Sequence, residues 1–76
     1  PALAINPADI PRLVRELRKQ MGLTQEKFAA KAGVTFPTIN RWENGRSKPS
    51  PLAMERLEAL LAEHGDAKLR SRYGDA

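Results

Sequence analysis

The sequence predicts an all-α fold, a compact bundle of four helices followed by a short fifth helix, no more than a helical turn, or by a frayed end, and three observations carry that expectation. Apolar residues recur at three- and four-residue steps, as on one face of a helix. Glycines, prolines and hydroxyl or Asp residues cut the chain into segments of helical length. Strand-like alternation and internal repeats are both missing from the sequence. At 76 residues the chain has room for a single small domain and one core.

The first helix is expected over about 10–21, where Ile10, Leu13, Val14, Leu17 and Met21 share one face. Asp9 is its candidate N-cap, and Pro11 is tolerated in the first turn because its missing N–H has no partner to lose. Gly22 ends it. Thr24 then caps a compact second helix over about 25–32, "QEKFAAKA", whose inward residues Phe28, Ala29 and Ala32 are small enough on average to let a neighbouring backbone approach.

After Gly33 the stretch "GVTFPTINRWENG" carries a proline inside a short helix. With Thr35 as N-cap, Pro37 falls at the second helical position, where a backbone N–H has no intrahelical acceptor, so the proline starts this third helix instead of breaking it. Gly45 suits a left-handed C-cap. A basic loop, "RSKPS", leads to Ser50 and Pro51 as N-cap and first residue of a fourth helix, with Ala53, Met54, Leu57, Leu60 and Leu61 on one side and Glu55, Glu58 and Glu63 on the other. Gly65 closes it. The organisation expected is an arm over 1–9, a globular domain over 10–65 and a tail over 66–76, "DAKLRSRYGDA", too poor in apolar residues for a strong fifth helix.

Charge and composition narrow the function. The chain has 13 basic and 9 acidic residues and a pI near 10.0. The excess is local: nine basic residues against three acidic between Arg12 and Lys48, a balance of +6, and a balance of −3 from Pro49 to Asp66. One basic part of a small domain points to a polyanionic partner, nucleic acid above all. Cysteine is absent, which excludes disulfides, a thiolate nucleophile and cysteine-ligated zinc and fits a reducing compartment, so a cytoplasmic location is expected. No apolar run approaches the roughly 18 residues needed to span a bilayer, and "PALAINPADI" has no basic region followed by a hydrophobic stretch, so no membrane role is expected. One histidine, no cysteine and no paired carboxylates argue against an enzyme; no catalytic residue, metal ligand or cofactor is assigned. His64 ends the fourth helix, where a cation is welcome.

The third helix has two unlike sides. At 100° per residue Thr35, Ile39, Trp42 and Glu43 gather on one, while Pro37, Arg41 and Asn44 lie on the other with Thr38 and Asn40 flanking. The outer side is a row of hydrogen-bonding groups around one guanidinium. That suits base-pair edges in a major groove, where Arg matches the N7 and O6 acceptors of guanine and Asn can read adenine. Trp42 shares its side with Ile39 and belongs to the core. Two short helices joined by a tight turn, the second with a polar outer face, form a helix-turn-helix, in which the first helix crosses the phosphate backbone and the second enters the groove. Arg46 and Lys48, on the loop beside the groove-facing helix, are phosphate candidates, as is Asn44.

The segment "LTQEKFAAKAGVTFPTINRWENGRSKPS" resembles the DNA-binding domain of phage Cro and repressor proteins, also called the xenobiotic-response-element family of bacterial regulators. The likeness rests on Leu-Thr-Gln opening the second helix, Ala29, the Gly at the turn with Val34 after it, Ile39, and "ENG" closing the third helix before a basic loop with Pro49, and it covers about residues 10–64. It implies sequence-specific binding of double-stranded DNA, as a repressor or as the DNA-targeting module of a larger protein, by a homodimer on a palindromic site. An antitoxin or protein-interaction module using the same fold is the alternative. The resemblance also implies that Gln25 bonds a phosphate and braces the recognition helix, and that Glu43 pairs with Arg18, which fixes that helix's angle and presents the arginine near a phosphate. Phe36 and Pro37 depart from the family, which often holds polar base-reading side chains there. As apolar groups at the helix start they are expected to meet the C5-methyl of thymine, while Thr38, Asn40 and Arg41 make the polar base contacts.

Overall fold

The computed structural model describes residues 5–73, so residues 1–4 of the expected arm and 74–76 of the expected tail lie outside it. A 3-10 turn at Pro7–Asp9 leads into α1 (Ile10–Gln20), followed by α2 (Gln25–Ala32), α3 (Phe36–Glu43), α4 (Pro51–His64) and α5 (Ala67–Tyr73). No strand occurs among the described residues, and the fold is all-α.

The start of α1 corrects one expectation. Asp9 makes no side-chain cap bond, because its backbone is already helical (φ −93°, ψ −3°) and not extended as a capping residue requires. The capping happens earlier, where the Asn6 side chain accepts from the Ala8 N–H at 2.9 Å and the Asp9 N–H bonds the Asn6 carbonyl at 2.9 Å. The next three helices carry side-chain caps at their first turns: Thr24 accepts from Lys27 N–H, Thr35 from Thr38 N–H and Ser50 from Ala53 N–H.

The core is one cluster. Leu13, Val14 and Leu17 of α1, Phe28 of α2, Ile39 of α3, and Leu57 and Leu61 of α4 are completely buried. Each such side chain contributes roughly 1.5–3 kcal/mol. Ala29 and Ala32 are buried with almost no side-chain bulk between the helix backbones, which lets α2 lie close against its neighbours. Trp42 is buried too, at 3% exposure, as its side of α3 implied.

The tail takes one of the two forms left open for it: it does not fray but forms the short fifth helix, α5, of seven residues. Two apolar residues suffice because Leu69 and Tyr73 are four apart, share one face, and are both buried. Asp66 caps α5, its carboxylate accepting from the Leu69 N–H at 2.7 Å, and the side-chain carbonyl of Gln20 accepts from the Asp66 N–H at 3.0 Å. Glu16 of α1 then receives both Tyr73 Oη and, at 3.0 Å, Arg72 Nη1, which ties the last helix to the first.

Candidate nucleic-acid interface

The angle between α2 and α3 is set by a turn of three residues, Gly33–Thr35, between the two helices. Gly33 adopts φ +75°, a left-handed conformation that costs a side-chain-bearing residue about 1–2 kcal/mol. It allows the Val34 N–H to reach back to the Ala29 carbonyl at 3.0 Å. Two residues later Thr35 caps α3, with Phe36 first and Pro37 second in the helix. The far end closes in the same way. Gly45 takes φ +70°, its N–H bonds the Trp42 carbonyl at 3.2 Å, and the Arg46 N–H bonds the Arg41 carbonyl at 2.9 Å, a Schellman arrangement that ends the helix sharply and sends the chain into the basic loop.

Between those ends α3 is anchored by its inner side. Ile39, Trp42 and Glu43 are buried, and Glu43, at 4% exposure, is the one buried charged residue among those described. Burying a carboxylate is costly unless it is paired and hydrogen-bonded, and here it is both. Arg18 donates to its two oxygens, Nε at 2.7 Å and Nη2 at 3.1 Å, in a fork-to-fork pair, and Gln25 Nε2 donates to Oε1 at 3.0 Å. Arg18 also donates to the Leu23 carbonyl at 3.2 Å. Arg15, unassigned from the sequence, donates from Nη2 to the Glu43 backbone carbonyl at 2.8 Å, with its Nε 3.9 Å from Oε1. One glutamate of α3 thus meets two arginines of α1 and the first residue of α2. The i, i+3 spacing of Arg15 and Arg18 along α1 was the available signal for the second arginine.

The polar network continues outward from Gln25. Asn40 Nδ2 donates to Gln25 Oε1 at 3.4 Å, and Asn44 Nδ2 donates to the Asn40 backbone carbonyl at 2.8 Å and side-chain oxygen at 3.2 Å. Asn40 is half-buried and Asn44 exposed. Among the described residues no buried side-chain nitrogen or oxygen lacks a partner.

The outer side is exposed. Phe36 is 44% exposed, and Pro37, Arg41 and Asn44 are exposed with it. Thr38 is half-buried; its hydroxyl bonds that of Thr35 at 2.8 Å and accepts from Arg41 Nη2 at 3.3 Å. Arg46 and Lys48 are exposed on the loop, and Arg41, Arg46 and Lys48 form no ion pair among the described residues. The nine expected contact residues therefore divide in two. Phe36, Pro37, Thr38, Asn40, Arg41 and Asn44 stand on α3 or at its end, and Arg46 and Lys48 follow directly, while Gln25 lies at the start of α2, joined to them through Asn40 and Glu43.

A helix-turn-helix family profile matches residues 14–66, more than half of the chain. The chain belongs to the helix-turn-helix family of phage Cro and repressor proteins. Over 53 residues it is 49% identical to an uncharacterised HTH-type transcriptional regulator of Methanothermobacter thermautotrophicus, a match covering 68% of this chain and 77% of that protein. Over 49 residues it is 39% identical to the uncharacterised HTH-type transcriptional regulator RghRB of Bacillus subtilis, covering 63% of this chain and 35% of that one. No solved structure gave a significant match. This helix-turn-helix chain is a DNA-binding domain, and among its described residues no helix is long and apolar enough to cross a membrane.

Proposed function

We propose that the domain binds double-stranded DNA sequence-specifically by laying the outer side of α3 in the major groove while α2 crosses the phosphate backbone, and that it serves a transcriptional regulator or the DNA-targeting module of a larger protein. The observation that carries this reading is the division of α3 itself. Its inner side is fixed by Ile39, Trp42 and the Glu43 network, and its outer side leaves the side chains of Phe36, Pro37, Arg41 and Asn44 exposed, with no side-chain hydrogen bond to a residue outside α3 among the described residues. A helix held so firmly at one side presents the other at a constant angle, which base readout requires. The names of the two regulators above support the regulatory role.

In this reading Arg41 takes guanine through a bidentate pair, Asn40 and Thr38 supply further polar base contacts, and Phe36 and Pro37 meet a thymine methyl. Gln25, Asn44, Arg46 and Lys48 hold phosphates, which fix the register. The working form is a homodimer on a palindromic site, whose two half-sites bring two copies of α3 to one face of the duplex. The role is binding without catalysis and needs no cofactor, and the cytoplasm is where we place it. The alternative, an antitoxin or other protein-interaction module, would draw on Leu52, which is 69% exposed at the start of α4.

Selection from a random duplex library, followed by titration of the winning duplex at several salt concentrations, tests the proposal. Binding should weaken with a log-log slope of several units for a dimer, about 0.9 per neutralised phosphate. A flat salt response, or no enriched sequence, would contradict it.

A further inference from the structure

We propose that Arg15, on the exposed edge of α1, is a DNA phosphate ligand. The proposal rests on the groove-docking reading above and extends the interface to α1. Arg18 is committed inside the protein: its side chain is only 18% exposed, and Nε, Nη1 and Nη2 each already donate to Glu43 or Leu23. Arg15 is the opposite case. Its side chain is 49% exposed, and one donor, Nη2, is engaged at close range.

Charge leads to the same residue. The Glu43 carboxylate stands between two guanidiniums, 2.7 Å from Arg18 and 3.9 Å from Arg15. One negative charge against two positive ones leaves one positive charge over. Because Arg18 holds the shorter pair in the buried position, the excess resides at Arg15, toward solvent.

Position completes the argument. The carbonyl that Arg15 bonds at 2.8 Å belongs to Glu43, among the last four of α3, which have no intrahelical donor. That bond places a cation at a helix C-terminus, where the dipole favours it, and holds the guanidinium at the peptide leading into Asn44. Asn44 and the loop with Arg46 and Lys48 are the stretch assigned to phosphates. A guanidinium carries five N–H donors in a planar fork, so with one on the carbonyl the others remain for phosphate oxygens. Its orientation is set before DNA arrives, so less side-chain freedom is lost on binding.

The test uses the full chain and its selected duplex. Arg15→Gln should lower the magnitude of the salt slope by about 0.9 per protomer, with the melting temperature of the free protein nearly unchanged, and Arg15→Lys should restore most of the slope. Arg18→Gln, which removes the close partner of buried Glu43, should lower the melting temperature where Arg15→Gln does not. If Arg15→Gln weakens binding with an unchanged slope, Arg15 is only a brace on α3 and the proposal is overturned; an unchanged affinity overturns it as well. Failure of the groove-docking reading shows separately, in the parent protein, as binding without salt dependence.

Discussion

Arg18 and Glu43, 25 residues apart in sequence, meet through two parallel hydrogen bonds of 2.7 and 3.1 Å, with Glu43 only 4% exposed and Arg18 18%. The pair joins the first helix to the last turn of the third. Pairs of this kind are weak evidence for net stability, since desolvation offsets much of the attraction, but removing one partner strands the other. Here the stranded group would be Arg18; Gln25 would lose an acceptor with it, while Arg15 would lose a carboxylate 3.9 Å away and keep its bond to the backbone carbonyl of residue 43.

Glu43→Ala is therefore expected to cost about 3 kcal/mol, the lower end of the range for a broken buried pair because Arg18 keeps some solvent access. Against the roughly 5–15 kcal/mol of a small domain the fold survives, but with α3 less firmly placed, so DNA affinity falls as well. Urea denaturation and a duplex titration check the two parts. Unchanged stability together with unchanged affinity would show the pair to be an ordinary surface contact.

Arg41 and Lys48 should behave differently on substitution. Arg41→Ala is expected to cost roughly 1–3 kcal/mol and to relax selectivity at one base pair, since a bidentate base contact is lost. Lys48→Ala should weaken all duplexes alike. Equal losses across every sequence for Arg41→Ala would make it a phosphate contact.

How much of this was legible in the sequence depends on the range of the interactions. Thr24, Thr35 and Ser50 act as caps in the structure because capping is a local matter of three residues. Ile39, Trp42 and Glu43 turn inward because helical period fixes which residues share a side. What the sequence hid was mostly long-range. Arg15 bonds a carbonyl 28 positions away and Tyr73 bonds Glu16 57 positions away, contacts that exist only once α1 has packed against α3 and α5. Asp66 with Leu69 and Tyr73 was a local signal for α5, obscured by the low apolar content of the tail. The same-helix bonds of Asn44 to Asn40 and of Arg41 to Thr38 follow from i, i+4 and i, i+3 spacing and were readable in principle.

Phe36 and Pro37 supply a prediction about the DNA. Phe36 remains 44% exposed at the N-terminal end of α3, the end that contacts base edges in this docking. The half-site should carry thymine there, beside the base pair read by Arg41. Replacing that thymine with uracil removes only the methyl group and should lower affinity by somewhat under 1 kcal/mol, about the value of one buried methylene. The loss should vanish in Phe36→Ala. Tolerance of uracil at every position of the half-site would leave Phe36 and Pro37 with a role in building the helix alone.

The tail supplies a prediction about acid. The bond from the Leu69 N–H, the largest influence, holds the Asp66 carboxyl below its ordinary value of 3.8. A carboxyl lowered in the folded state contributes stability that is complete above that ordinary value and is lost as pH falls through the lower folded one. Protection of the α5 amides, measured against the exchange of an unfolded chain at the same pH, should fall as the solution is acidified through that window, before α2 and α3 respond. In Asp66→Ala, α5 should be frayed already at neutral pH and the acid step absent. An identical acid response in parent and variant would assign the effect to another carboxylate.

The central claim, that the outer side of α3 is the DNA-reading surface, is tested most directly by backbone amide chemical shifts followed during titration with the selected duplex. The largest changes are expected over Phe36–Lys48 and at Gln25, with α5 and the outer side of α4 around Leu52 little affected. Largest changes around Leu52 and along α5, with Phe36–Asn44 unmoved, would contradict it.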